Sequence, residues 1–137
     1  MKEAFKKSYM NVASIFAEHS TARKLHVGAV IVKDDRIISI GYNGMPAGWD
    51  NDCEYESEGQ LVTKPEVLHA ESNAISKLAR SSEAGQGASL FVTHAPCLDC
   101  AKTIYQAGIT AVYYKNEYRK DNGIEFLNKC NITVERL

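Results

Sequence analysis

No stretch of this 137-residue chain is apolar for long enough to cross a membrane. The opening residues, MKEAFKKSYMNVASIFAEHS, break their apolar positions with Lys, Glu and Asn, so they form neither a secretion signal nor an anchor. Charge of one sign is missing too. Sixteen Lys and Arg stand against 17 Asp and Glu, for a net charge of −1. That balance gives no electrostatic footprint for nucleic acid or for an anionic membrane surface. There is no internal repeat and no low-complexity segment. Cysteine is limited to four residues. With no targeting segment the expected compartment is the cytoplasm, where a close cysteine pair is more often metal-binding or catalytic than a structural disulfide.

What is present is an ordinary globular composition, 45% hydrophobic and 24% charged. One domain over residues 1–137 is expected, with a core that needs no staples. Phe5, Tyr9, Val12 and Phe16 share one face of a first helix. His26–Lys33 and Arg36–Ile40 read as strands, with Asp34-Asp35 as the hairpin turn between them. Residues 41–64, rich in Gly, Asn and Asp, read as a long loop, and loops of that length usually carry function or are disordered. Pro65 reads as the start of a second helix with Ala70, Ala74, Ile75 and Leu78 on its apolar face. A strand follows at Ala88–Thr93. A third helix starts at Pro96 and stops at Gly108. Then come a strand at Thr110–Lys115, a break at Asp121-Asn122-Gly123, a short helix marked by Ile124 and Leu127, and a last strand at Ile132–Val134. The order α-β-β-α-β-α-β-α-β predicts a three-layer α/β/α sandwich around a mixed five-stranded sheet.

Two cysteines stand three apart behind a proline in HAPCLDC, residues 94–100. At a helix start, free N–H groups and the helix dipole favour the thiolate form of Cys97 and Cys100. Two thiolates so placed suit Zn²⁺, which needs more ligands. Of His19, His26, His69 and His94, the best third ligand is His69, which opens HAES at another helix start. Three protein ligands leave one position open, the mark of a catalytic zinc site. Glu71 falls in the middle of an apolar stripe, where a carboxylate is costly unless it is paired or useful. Residues i and i+2 do not share a helix face, so His69 and Glu71 meet one metal only if His69 sits at the helix's open end.

The pattern H-A-E, then P-C-L-D-C after a strand, is the established signature of zinc-dependent nucleobase deaminases, a match of pattern rather than a deduction from geometry. Over nearly its full length the chain resembles the cytidine deaminase superfamily. GYNGMPAG (41–48), HAESNAI (69–75) and VTHAPCLDCAKTIYQAGI (92–109) are most similar to the deoxycytidylate (dCMP) deaminases. The resemblance implies His69, Cys97 and Cys100 as zinc ligands. It implies Glu71 as the proton shuttle while water adds at C4 of cytosine, giving dUMP, which feeds thymidylate synthesis. Because two thiolates offset the zinc charge, a carboxylate beside the metal is needed. The resemblance further implies that Asn43 binds the sugar, that the Ala70 N–H holds the pyrimidine carbonyl, and that Tyr118 lies near phosphate and sugar. Arg23 and Lys24, with His26 as a further possibility, are the cations for the phosphate. Relatives often carry a cysteine of a second, structural zinc site where this chain has Ala22; Cys53 and His94 remain. Relatives are commonly homo-hexamers, activated by dCTP and inhibited by dTTP with Mg²⁺ on the triphosphate. The matching effector residues here are Gly44, Met45, Pro46 and Gly48 of the loop, with Asn73 and Arg80 on the helix.

Other readings stand beside this one. C-x-x-C alone fits a redox pair, or a closed zinc site completed by Cys53 or Cys130. Cys130 by itself fits a small core residue, and His19 and His26 fit surface or packing positions. Asn43 and Gly44 fit simple turn residues, and Asn73 and Arg80 a solvated helix face. A free cytidine or deoxycytidine deaminase, a guanine deaminase and a tRNA adenosine deaminase share the signature, though the last expects a basic surface. From another class, a non-catalytic zinc-binding interaction domain also fits.

Overall fold

The computed structural model describes residues 1–118 and 122–137. Asp121, expected to help break the chain, lies outside the described residues. The elements are α1 (Glu3–Ala17), β1 (Gly28–Lys33), β2 (Arg36–Tyr42), β3 (Glu54–Ser57), β4 (Gln60–Thr63), α2 (Ala70–Ala79), β5 (Ser89–His94), α3 (Leu98–Gln106), β6 (Ala111–Asn116), α4 (Gly123–Lys129) and β7 (Thr133–Arg136). Five strands form one sheet in the order β2-β1-β5-β6-β7. β1 runs antiparallel to β2 and β5, and β6 runs parallel to β5 and β7. The expected mixed five-stranded sheet is present.

Both faces of the sheet are covered. Met10 and Ala13 of α1 pack on Val30, Val32, Phe91 and Tyr113. The opposite face carries Ala29, Ile31, Leu90, Val92 and Val112 under residues of α2, α3 and α4. This two-sided burial explains why β1 and β5 read as continuous apolar runs rather than alternating ones. Asp34 and Asp35 have φ of 52° and 58°, the left-handed pair that a tight two-residue hairpin requires. Helices approach the sheet closely at two glycines. A Cβ on Gly28 would lie 1.9 Å from the Ala13 carbonyl O, and one on Gly41 would lie 2.3 Å from that of Ala70. Gly41 thus sets how near the first turn of α2 lies to β2.

Three expectations need correction. The buried residues of α1 are Met10, Ala13 and Ala17; of the expected face, Tyr9 and Val12 pack at the edge of that core and Phe5 is exposed. At Ala13 and Ala17 the helix backbone comes so close to Gly28 that the centre of the buried face takes small side chains, and Tyr9 packs beside it on Phe91 at 5.4 Å. Residues 41–64 are not one loop, because β3 and β4 form a separate antiparallel hairpin turning at Glu58 and Gly59. Its strands, EYES and QLVT, carry too little apolar alternation to read as strands. Pro65 does not open α2. It stands second in a turn closed by the Val67 N–H donating to the Lys64 carbonyl at 3.2 Å, a favoured place for proline. No helix among the described residues is long and apolar enough to cross a membrane.

Candidate active site

α2 begins five residues later than Pro65, and this shift settles the geometry of its first turn. His69 is the N-cap, with extended backbone at φ −77° and ψ 156°. Its ring therefore lies outside the helical repeat, which removes the conflict with Glu71 two residues on. Cys97 is likewise the N-cap of α3 rather than a residue within it. The helix starts meet. His69 Nδ1 lies 3.3 Å from Cys100 Sγ and 3.5 Å from Cys97 Sγ, and the three donor atoms all lie within 4.8 Å of one another. Zinc bonds of about 2.0 Å to nitrogen and 2.3 Å to sulfur, at a tetrahedral angle, put N and S about 3.5 Å apart. The donors are spaced for that ion.

The protonation pattern suits a cation as well. The hydrogen bond from the Cys100 thiol, then the one with His69 and that from the Cys100 backbone N–H, pull the Cys97 thiol down to about 4. Cys100 is pushed up by its bond to Cys97, by burial and by the nearby Glu71 charge. A cation bound between the two sulfurs would favour the thiolate form of both. Ser72 Oγ, 3.9 Å from Cys100 Sγ, is a further neighbour of that sulfur.

Beside the donors lies a cleft of about 220 Å³. His69, Ala70, Glu71 and Cys97 line one part, and Lys24, Asn43, Glu54, His94 and Tyr118 line others. Glu71 is only 4% exposed. It is a nearly buried carboxylate that lines the cleft beside the metal donors. The Asn43 amide donates to the Leu25 carbonyl at 2.8 Å and accepts from the Val27 N–H at 2.9 Å, so it braces the cleft wall. The Tyr118 ring meets His94 edge-on at 6.4 Å. Burial, then Lys115, lower the His94 pKa and favour its neutral form. The Thr93 hydroxyl lies 2.9 Å from His94 Nδ1.

The cleft does not collect every expected residue. Arg23 does not line it: its Nη2 donates to Asp52 at 3.1 Å, and its Nε lies 3.6 Å from Glu54. His26 is also outside the lining, with Nε2 2.6 Å from the Ala22 carbonyl. Gly44, Met45, Pro46, Gly48, Asn73 and Arg80 are absent from it as well. Gly44 instead exchanges two backbone hydrogen bonds with Leu68, of 3.1 and 2.8 Å. Asn73 donates to the Tyr42 carbonyl at 2.8 Å, and Arg80 is the exposed C-cap of α2. The same loop holds Trp49, whose backbone N–H donates to the Pro46 carbonyl at 3.0 Å. Among the described residues no second group of three metal donors converges, and neither Cys53 nor Cys130 joins the first. Cys53 is fully buried in the cleft wall, and Cys130 packs against the main core. Glu54 is not legible in the sequence as a site residue. Its one signal is an acid at the head of a hairpin that is itself hidden there.

Known proteins agree with this arrangement. The family described as cytidine and deoxycytidylate deaminase zinc-binding region matches residues 3–116. ComE operon protein 2 of Bacillus subtilis (strain 168) is 38% identical over 133 residues, covering 94% of this chain and 69% of its own. The deoxycytidylate deaminase of Enterobacteria phage T4 is 35% identical over 150 residues, covering 82% of this chain and 78% of its own. The crystal structure of dCMP deaminase from the cyanophage S-TIM5, in complex with dCMP and dUMP, superposes with a TM-score of 0.94 at 46% identity, over 100% of this chain and 99% of that one. A motif-bearing pair of helix starts, a matching fold and similarity along most of the sequence lead to one assignment: the chain belongs to the cytidine and deoxycytidylate deaminase family.

Proposed function

We propose that this chain hydrolyses dCMP to dUMP and ammonia. The observation that carries the reading is a single cleft lined both by the His69–Cys97 metal corner with buried Glu71 and by the cation Lys24. The complex of the S-TIM5 relative with dCMP and dUMP supports the choice of substrate.

His69, Cys97 and Cys100 would hold zinc, which when bound activates water for attack. Glu71 takes a proton from the attacking water as it adds to C4 and delivers it to N3; it then takes the proton of the new C4 hydroxyl and passes it to the amine, which departs as ammonia as the C4 carbonyl forms. The Ala70 N–H, without an intrahelical acceptor in the first turn of α2, donates to the pyrimidine carbonyl. Asn43 meets the sugar, and Lys24 and Tyr118 the phosphate end.

Measuring kcat/KM on dCMP, deoxycytidine and cytosine tests the reading, with dCMP strongly preferred. Lys24→Ala should cut kcat/KM on dCMP by ~10–100-fold, the scale of a lost charge-assisted hydrogen bond, and leave deoxycytidine within about twofold. Because Arg23 is paired outside the cleft, Arg23→Ala should do less. Equal rates on nucleotide and nucleoside would give the site to a free cytidine deaminase.

The reading extends to assembly and control: a homo-hexamer, activated by dCTP and inhibited by dTTP, with magnesium entering only on the triphosphate. Its support is the loop from Gly44 to Gly48, which starts beside Asn43 and is tied by Gly44 to Leu68, the residue before His69. An effector on that loop has a short path to both ends of the cleft. Linkage makes the coupling reciprocal, so dCTP should tighten dCMP and dCMP should tighten dCTP. Titration with each triphosphate, with light scattering for mass, decides the point. A monomer indifferent to both would refute hexameric assembly and triphosphate control.

A further inference from the structure

Glu54 is a buried acid for which the reaction has no use. Its side chain is 1% exposed, at the first residue of β3 and in the cleft wall. A carboxylate at that depth needs donors around it. One short segment supplies them. The Arg23 N–H lies 3.1 and 3.0 Å from its two oxygens, the Lys24 N–H lies 3.2 Å from Oε2, and the Arg23 Nε lies 3.6 Å from Oε1. Arg23 Nη2 also donates to the Glu54 carbonyl at 3.3 Å. Two successive N–H groups aimed at one anion make a small nest, and here the anion is internal.

The grip has a direction. Arg23 is turned toward the hairpin, where Glu54 and Asp52 balance its charge. Lys24, the next residue, lines the cleft. Asn43 holds the far end of the same stretch through Leu25 and Val27. Residues 23–27 are thus clamped from two other elements. We infer that Glu54 is a positioning residue for substrate: by holding the backbone of Arg23 and Lys24, it presents Lys24 alone to the phosphate. The inference rests on the dCMP reading above. It does not ask the carboxylate to approach the phosphate, since its charge is matched by Arg23.

Steady-state kinetics of Glu54→Gln on dCMP and deoxycytidine test it. Gln keeps the size but offers one acceptor oxygen and no charge where the carboxylate offers two oxygens and a charge, so the grip weakens. KM for dCMP should rise about tenfold, the scale of one weakened charge-assisted contact, with kcat within about twofold. Deoxycytidine kinetics should be unchanged. In a Lys24→Ala background Glu54→Gln should add nothing on dCMP. Equal losses on both substrates, or additivity with Lys24→Ala, would mean a purely structural role and overturn the inference. If Glu54→Gln is insoluble, Glu54→Asp, which keeps the charge but withdraws it, replaces it in the same comparison, with each outcome carrying the same meaning. Wild-type enzyme without a preference for dCMP would overturn the dCMP reading and this inference together. A preference that survives Glu54→Gln intact would overturn this inference alone.

Discussion

Glu71→Gln should keep its zinc and its fold and lose at least ~10²–10⁴-fold in kcat, the usual contribution of one general acid–base group. The loss should reach or pass the upper end, because the proposed mechanism asks the same carboxylate to serve water, ring nitrogen and leaving amine in turn. Glutamine fills the same volume at a position 4% exposed, so a packing defect does not confuse the result. KM for dCMP should change far less than kcat, as for a group whose main contribution is made in the transition state. Metal content by atomic absorption, circular dichroism and steady-state rates together decide the matter. Turnover near that of the wild type would remove Glu71 from the chemistry.

Stripping the metal should have an effect as large. One zinc per chain is expected at His69, Cys97 and Cys100. A strong chelator should abolish deamination, and added Zn²⁺ should restore it. Because the three expected ligands come together only where the starts of α2 and α3 meet, zinc bound to the folded chain would add to stability by mass action, about 4 kcal/mol at a thousandfold excess over Kd. The thermal midpoint should therefore fall on chelation. Cobalt gives a readout independent of turnover: the wild-type site should show thiolate-to-metal charge-transfer bands, weakened in Cys97→Ser and Cys100→Ser. A metal-free, fully active protein, or a fourth protein ligand, would refute the site.

How far the sequence speaks depends on where each signal is written. The Asp34-Asp35 turn and the Gly108 stop, the latter at φ +85°, are local backbone chemistry and can be read directly. Fully buried strands such as β5 announce themselves as unbroken apolar runs. The β3–β4 hairpin is silent, because a two-stranded ribbon with little packed against it needs no alternation. The face of α1 is hidden for a long-range reason: its partner, Gly28, lies 11 residues beyond the helix end, and only contact between them favours Ala13 over Phe16. The metal corner is legible because its spacing is local to two helix starts. Glu54 is not, since its meaning lies in the backbone of a segment some thirty residues away.

Trp49 is the chain's only tryptophan, and it stands 56% exposed in the loop that follows Asn43. Indole emission from this protein is therefore a one-position signal that needs no dye and no engineered label. Its colour reports the polarity around that loop tip and nothing about the sheet or the metal corner. A blue shift on adding a triphosphate, without one on adding dCMP, would locate effector and substrate on different surfaces in a single cuvette. Collisional quenching by iodide would then show, chain by chain, whether assembly has taken the loop out of water.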